Sequence, residues 1–349
     1  MKINVLLNIG KKPSGASRPI IEFCNVLAKT NDVLIYKAFN PNKKGIEYLL
    51  REAVGFVIKG KNFTPGWIKS DCAITIIPTY KERFIRDADI VFFRSAHLIQ
   101  EISQWQESKG IKVMRVSNVH MLKNPVKISK NIVLIASSKM VYEKLKILYP
   151  ENRIFKVGNG VNCNFFSYEE RKHETPRSVG MILYTGNDGR HKGTELGFEL
   201  FNRIKQNFPD IRFLVVGLKK DKRLPKFVEF INGEKSHDIL RFYRDVDIFI
   251  YPSYEDAWPN PPMEAMACGC AVVTTDVGGV REFAIDGKNA IICNPGDLEQ
   301  MVYAVKSLIE NPEYWKNIID RAAKDIKQFD YAIQANLLEE VFHEILSCC

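Results

Sequence analysis

Residues 251–297 read YPSYEDAWPNPPMEAMACGCAVVTTDVGGVREFAIDGKNAIICNPGD. The apolar run Ile248–Tyr251 predicts a strand that enters a loop holding two carboxylates, Glu255 and Asp256. Trp-Pro-Asn-Pro-Pro then leads into a helix expected from about Pro262 to Cys268. Prolines are tolerated there because the first amide protons of a helix have no intrahelical partner. A second apolar run, Ala271–Thr274, comes at once after it. Strand, helix and strand in this order predict a parallel sheet covered on both faces. Glu264 is expected in the first helical turn, where the positive helix end favours a carboxylate. The free amides of that turn would make an anion seat at the carboxyl edge of the sheet. A carboxylate beside an anion seat suits a nucleotide, the acid accepting from a ribose diol and the amides taking the diphosphate. A capped surface helix with solvated acids is the plainer alternative for this stretch alone.

The same rhythm extends in both directions. Met181–Tyr184, Arg212–Val216 and Asp247–Tyr251 read as strands, and Thr194–Asn207, His237–Arg244 and Leu298–Ile309 as helices. Towards the start, Ile3–Leu7, Val33–Tyr36, Ile90–Phe93, Lys112–Val116 and Ile132–Ala136 predict a first series of strands, with a helix over Arg18–Lys29. The polar stretch Ser167–Ser178 separates the series and is expected to be an interdomain linker. The fold class is therefore α/β, with two Rossmann-like doubly wound domains. One spans 1–168 and is completed by a terminal helix over 330–349; the other spans 169–329.

A chain of 349 residues fits two domains of ordinary size. With 46% hydrophobic and 26% charged residues it is globular, and no apolar run approaches the ~20 residues of a spanning helix. The opening MKINVLLNIG reads as a first strand rather than a signal peptide, and the eight cysteines form no C-x-x-C pair, so reduced thiols in the cytoplasm are expected. Charge is split: residues 1–160 hold 27 Lys and Arg against 12 Asp and Glu, whereas residues 161–349 hold 23 against 29. The basic half could face a phosphorylated substrate or an anionic membrane surface, or be simply a solvated surface. Within it, Asn42–Lys61 reads as a basic amphipathic helix, suited either to a membrane face or to packing on a sheet. No nucleic-acid-binding module is recognisable.

Two strand-to-helix turns carry glycines. Gly186-Asn-Asp-Gly-Arg-His-Lys-Gly193 adds Arg190 and Lys192, cations suited to a diphosphate. Asn8–Arg18 holds only Gly10 and Gly15, which departs from the dinucleotide fingerprint G-x-G-x-x-G and disfavours a nicotinamide enzyme. The segment 252–297 closely resembles the signature of glycosyltransferase family 4, retaining enzymes of the GT-B fold in the glycogen synthase and sucrose synthase superfamily. Pro13-Ser-Gly15-Ala is similar to that family's first glycine loop. Val157-Gly-Asn-Gly-Val-Asn162, Tyr184-Thr-Gly186 through Lys192-Gly193, and Asp247–Ser253 resemble further family elements in the expected order.

The resemblance implies two domains facing a cleft that holds a nucleotide-diphosphate sugar, the donor, in the second domain and an acceptor in the first. Of the family's E-x7-E acids, the second maps onto Glu264. The first maps onto Asp256, with Glu255 one place out of register as the other candidate. The phosphate-binding lysine maps onto Lys192. Asn187 occupies the family's arginine position, which leaves Arg190 to supply that charge. Phe230, Ile231 and Asn232 stand where the family's backbone reads the base, and Gly15, Trp258, Asn260 and Met263 complete the implied donor set. A histidine of the first domain near the donor sugar maps onto His120, with His97 read as structural.

The chemistry implied is transfer of a sugar, with retention, to a glycan or lipid-linked acceptor. Lys192, Arg190 and a helix start would stabilise the leaving diphosphate, so neither metal nor cofactor is expected. The leaving phosphate would assist as base, which removes the need for a glycosidase-type carboxylate pair. Rival readings are a noncatalytic nucleotide-sugar-binding protein of the same fold and a sugar-nucleotide epimerase. The location expected is cytoplasmic, with peripheral contact to the inner face of the membrane if the amphipathic segment binds there.

Overall fold

The structure is a computed structural model that describes residues 1–10, 15, 17–39, 63, 65–117 and 119–348. The amphipathic segment 42–61 and most of the first glycine loop lie outside the described residues. The chain divides into two compact units, Met1–Gly158 with Tyr331–Cys349, and Asn159–Asp330.

The first unit is built on strands β1 (Lys2–Leu6), β2 (Asp32–Ala38), β3 (Ala73–Ile77), β4 (Ile90–Phe93), β5 (Ile111–Val116), β6 (Ile132–Ala136) and β7 (Ile154–Lys156). They form one parallel sheet in the order β3-β2-β1-β4-β5-β6-β7. Its helices include α1 (Arg18–Leu27), α2 (Ile99–Ile102), α3 (Val119–Lys123) and α4 (Lys139–Leu148). The β-branched runs form strands because they are buried on both faces of the sheet. Ile3, Val5, Phe92 and Val113 share a core with Phe23 of α1 and with Tyr331, Leu338 and Phe342 of the terminal helix Tyr331–Ser347. Phe342 meets Phe92 edge-on at 5.7 Å, and Tyr331 meets Phe23 at 5.4 Å. The terminal helix is therefore part of the first unit's core.

The second unit contains β8 (Ser178–Ile182), α5 (Gly186–His191), α6 (Thr194–Asn207), β9 (Arg212–Gly217), β10 (Val228–Asn232), α7 (Ser236–Asp245), β11 (Ile248–Tyr251), α8 (Asn260–Ala267), β12 (Ala271–Thr275), α9 (Val280–Phe283), β13 (Ile291–Cys293), α10 (Leu298–Glu310) and α11 (Pro312–Asp325). The sheet is again parallel, in the order β10-β9-β8-β11-β12-β13. After β10 the chain crosses back past β8 to begin β11, so the strand order reverses between β8 and β11. Open parallel sheets bind ligands outside the carboxyl ends of strands at such a switch point.

The expected linker Ser167–Ser178 belongs to the second unit, and the division falls at Gly158 and Asn159 rather than at 168 and 169. Arg171 explains this. Its guanidinium donates to the carbonyl oxygens of Tyr243 (3.2 Å), Val246 (2.8 Å) and Gly269 (3.2 Å), and to that of Arg244. These include carbonyls at the end of α7, which lack helical donors. Asp247, 2% exposed, then takes His173 at 2.9 Å, the Arg177 amide at 2.8 Å and the Ser178 hydroxyl at 2.9 Å. A polar stretch can look like a linker in composition and still be bound down when its charges satisfy buried backbone.

Candidate functional site

Two loops meet at the second sheet's switch point: the turn after β8 and the loop after β11. Gly193 makes their approach possible. Its φ is +68°, and a Cβ there would lie 1.9 Å from the Pro252 carbonyl oxygen. Only glycine fits both the left-handed backbone and that contact. Ser253 ties the loops further, its hydroxyl donating to the His191 carbonyl (3.2 Å) and the Glu255 carbonyl (2.9 Å), while the Tyr254 amide donates to His191 at 2.8 Å.

Lys192 is thereby delivered to Asp256, Nζ to Oδ2 at 2.5 Å. The same oxygen accepts from the Tyr251 hydroxyl at 2.6 Å, and Oδ1 accepts from the Trp258 amide at 3.1 Å. The side chains of Lys192 and Asp256 are 22% and 17% exposed, so the pair is sheltered but reachable. Burial first, and the Asp256 charge second, push the Tyr251 phenol well above its ordinary range, which keeps it a proton donor. Glu255 turns elsewhere, to His191 at 3.2 Å, in a more exposed pair. Of the two acids, Asp256 is the one joined to the lysine.

Glu264 is 8% exposed and accepts from the Tyr243 hydroxyl at 3.0 Å. Helix α8 begins at Asn260, not near Pro262, which places Glu264 beyond the first turn. The expected help from the helix end is therefore corrected: such effects fade within one turn. The Tyr243 phenol, raised by burial first and by Glu264 next, supplies a donor instead. Asn260 accepts from Asn159 at 3.0 Å.

The other expected residues are more scattered. Arg190 is exposed and donates to Asn187 Oδ1 at 2.5 Å, so a guanidinium is held at the asparagine that replaces the family's arginine. The turn expected over 186–193 is largely helical, as α5. The side chains of Trp258 and Met263 are buried core, with the indole N–H directed at Met263 Sδ (3.0 Å) and the Trp258 ring against Phe283 and Phe329. Phe230 and Ile231 lie on the edge strand β10 and pack against the unit's two cores. Asn232 is exposed and accepts from the Glu234 amide. Beside them, a pocket of about 200 Å³ opens at the ends of β8, β9 and β10, lined by Tyr184, Asp188, Gly217, Lys219, Gly233 and Ile239. In the first unit, Gly15 is exposed, with nothing among the described residues within 4 Å of an added Cβ, and His120 is exposed on α3. Sequence reasoning passed over Tyr251, Tyr243 and the pocket after β9.

Asp-x-Asp, a spacing that can hold a metal–diphosphate, occurs twice in the chain. Asp87 and Asp89 precede β4, where they bind Lys109 Nζ (2.8 Å) and the Lys2 amide (2.7 Å). Asp245 and Asp247 precede β11. Both triplets therefore stand at amino ends of strands of their own sheets, and in the second sheet that end is opposite the edge that carries Lys192.

Residues 166–325, most of the second unit, match the family described as Glycosyl transferases group 1. The chain is 29% identical over 165 residues to the N,N'-diacetylbacillosaminyl-diphospho-undecaprenol alpha-1,3-N-acetylgalactosaminyltransferase of Campylobacter jejuni, covering 45% of this chain and 42% of that protein. It is 23% identical over 234 residues to the capsular polysaccharide biosynthesis glycosyltransferase CapM of Staphylococcus aureus, covering 61% and 62% respectively. The chain spans about half the length of the curated relatives it matches. Among solved structures, Anabaena Alr3699/HepE in complex with UDP and glucose aligns with a TM-score of 0.74 at 15% identity, over 98% of this chain and 99% of that one. Sucrose-phosphate synthase from Thermosynechococcus elongatus aligns with a TM-score of 0.76 at 14% identity over both whole chains. The fold is GT-B: two Rossmann-like parallel-sheet domains.

Proposed function

We propose that the chain is a glycosyltransferase that moves a sugar from a nucleotide-diphosphate donor to a glycan or lipid-linked acceptor, with retention and without a metal. The observation that carries this reading is the Lys192–Asp256–Tyr251 cluster at the switch point of the second sheet. The family match over 166–325 and the UDP and glucose held by the HepE structure support the donor class.

The pocket at the ends of β8 to β10 takes the base. Glu264 accepts from the ribose hydroxyls, and Lys192 and Arg190 face the diphosphate. Asp256 accepts from a hydroxyl of the donor sugar, exchanging its bond to Lys192 for one to the ligand. Charge developing on the departing diphosphate is met by cations already in place, which costs little reorganisation. The donor C1–O bond breaks, the acceptor oxygen bonds to C1 from the same face, and the acceptor proton passes to the departing phosphate oxygen. The first domain holds the acceptor and carries His120, the histidine that the resemblance assigns to the sugar, and the enzyme works in the cytoplasm.

Thermal-shift screening against UDP, GDP, ADP, dTDP and their sugars tests the donor. One base should stand out, because a ligand at a hundredfold excess over Kd stabilises by about 2.7 kcal/mol. No shift with any activated sugar would overturn the proposal. A shift with no transfer or hydrolysis, unchanged in Glu264→Gln, would favour a noncatalytic binder.

A further inference from the structure

The carboxyl edge of the first sheet also carries a pocket, of about 240 Å³, at the ends of β4 and β5. Arg94, Ser95, His97, Arg115, Ser117 and Met121 line it, and none of its lining residues among the described ones is acidic. The order of the first sheet reverses between β1 and β4, so this pocket lies beside that domain's own switch point.

Two guanidinium groups define it. Arg115 is 1% exposed, donates to the carbonyl oxygens of Val157 and Gly158 at 3.1 Å each, and lies 4.9 Å over the Phe23 ring. These contacts leave it little freedom, so its charge is fixed in direction. Arg94 comes directly after β4, and its Nε is buried with no hydrogen-bond partner among the described residues. Burial presses Arg115 down to about 10, the Arg94 charge adds to the fall, and burial lowers Arg94 too. Both stay protonated near neutrality. Arg94 is thus a desolvated cation with a second guanidinium close by, which is costly to fold unless something uses it.

We propose that this pocket binds a phosphate-type oxyanion carried by the acceptor. The inference rests on the reading of the first domain as the acceptor domain. A carboxylate has two oxygens and satisfies one guanidinium fork. A phosphate monoester has three, enough for two forks and a hydroxyl from Ser95 or Ser117. The shared chemistry is the phosphate group, borne either by a soluble sugar or by a lipid.

Arginine footprinting of the full chain with phenylglyoxal tests it, read peptide by peptide at Arg94. Inorganic phosphate should slow Arg94 modification by about fivefold or more against chloride of equal ionic strength, the protection expected well above Kd. Vesicles of phosphatidylcholine with and without phosphatidic acid form the second arm. Protection by free phosphate alone assigns a soluble phosphate, and protection by phosphatidic acid vesicles alone a lipid-borne one. Protection in both arms assigns the group whatever carries it, and protection in neither overturns the proposal. Arg94→Gln should keep its Tm and its nucleotide binding, yet bind inorganic phosphate at least about tenfold more weakly by 31P line broadening. A folded Arg94→Gln with unchanged phosphate affinity also overturns it. Nucleotide binding without Arg94 protection defeats the pocket alone; Arg94 protection without nucleotide binding defeats the transferase reading alone.

Discussion

At the switch point of the second sheet Lys192 is paired with Asp256 at 2.5 Å, whereas beside that of the first sheet Arg94 and Arg115 line a pocket with no acid among the described residues of its walls. The strands on both sides have the same parallel architecture and the same β-branched filling, so the backbone does not set this difference. The residues at the carboxyl end of each strand set it. After β8 and β11 the chain places a cation and an acid on loops that touch. After β4 and within β5 it places two cations. A pre-paired site can exchange its internal partner for ligand hydroxyl and phosphate together, which suits a zwitterion-like demand at a sugar diphosphate. A site with cations alone gains only from an anion. One topology thus presents two different chemistries at equivalent edges.

The largest test of the comparison concerns the glycine turns. Gly193→Ala should cost about 3 kcal/mol or more, from the left-handed backbone together with a Cβ driven into the Pro252 carbonyl. Gly15→Ala, with nothing among the described residues within 4 Å of the added carbon, should stay within about 0.5 kcal/mol. Denaturant melts of the two variants read this directly, and equal losses would remove the claim that close contact makes Gly193 indispensable. Next in size is Asp256→Asn. Loss of the charge that Lys192 and Tyr251 hold in place should lower kcat/KM by about 10²–10³, the range for a removed electrostatic stabiliser. Glu255→Gln should cost at most about threefold, since its His191 pair is more exposed. Reversal of that order would transfer the first acid's role to Glu255.

Stability should then separate the two edges in sign. Lys192→Met strips Asp256 of its ion pair and should cost about 1–2 kcal/mol. Arg94→Gln removes a buried cation close to another and should leave stability unchanged or slightly higher, by up to about 1 kcal/mol. A clear destabilisation by Arg94→Gln would mean that the first pocket already has its compensating charge.

The sequence made the alternation of strands and helices legible wherever burial on both faces demanded long β-branched runs, as in Ile90–Phe93 and Ile132–Ala136, which match to the residue. Edge strands were less visible. β10 is half-exposed, so Val228–Asn232 shows neither an unbroken apolar run nor clean alternation. Helix α11 was missed although Asn311 caps it and Pro312 opens it, because half of the fourteen residues from Pro312 to Asp325 are charged or polar and two of its five buried positions are only alanine. At the site, spacing and resemblance pointed to Lys192, Asp256 and Glu264. They could not find Tyr243, which reaches Glu264 from 21 residues away on another helix. The inward turn of the Trp258 and Met263 side chains was hidden for a related reason: a motif position does not say which way a side chain points. Tyr251 was the discoverable omission, since it ends the strand whose loop carries Asp256 five residues later.

The smallest predicted effect concerns Arg190, and it bears on how far the second site differs from the pattern of the family it resembles. The side chain is exposed, so Arg190→Ala should leave stability within about 0.5 kcal/mol. Its guanidinium is nevertheless held on Asn187, the position where the resemblance places an arginine. If the charge is what the diphosphate needs there, Arg190→Ala should weaken nucleotide binding by about three- to tenfold at low salt, and by less at high salt, because exposed charges are screened. Adding Asn187→Arg to the same chain should restore most of the affinity, since the cation then issues from the position that Arg190 had been covering. Restoration in titrations at two salt concentrations would identify Arg190 as a displaced substitute. Weak binding that persists in the double variant would show that the geometry of Arg190 matters beyond its charge, and a loss equal at both salts would assign it a structural part in α5.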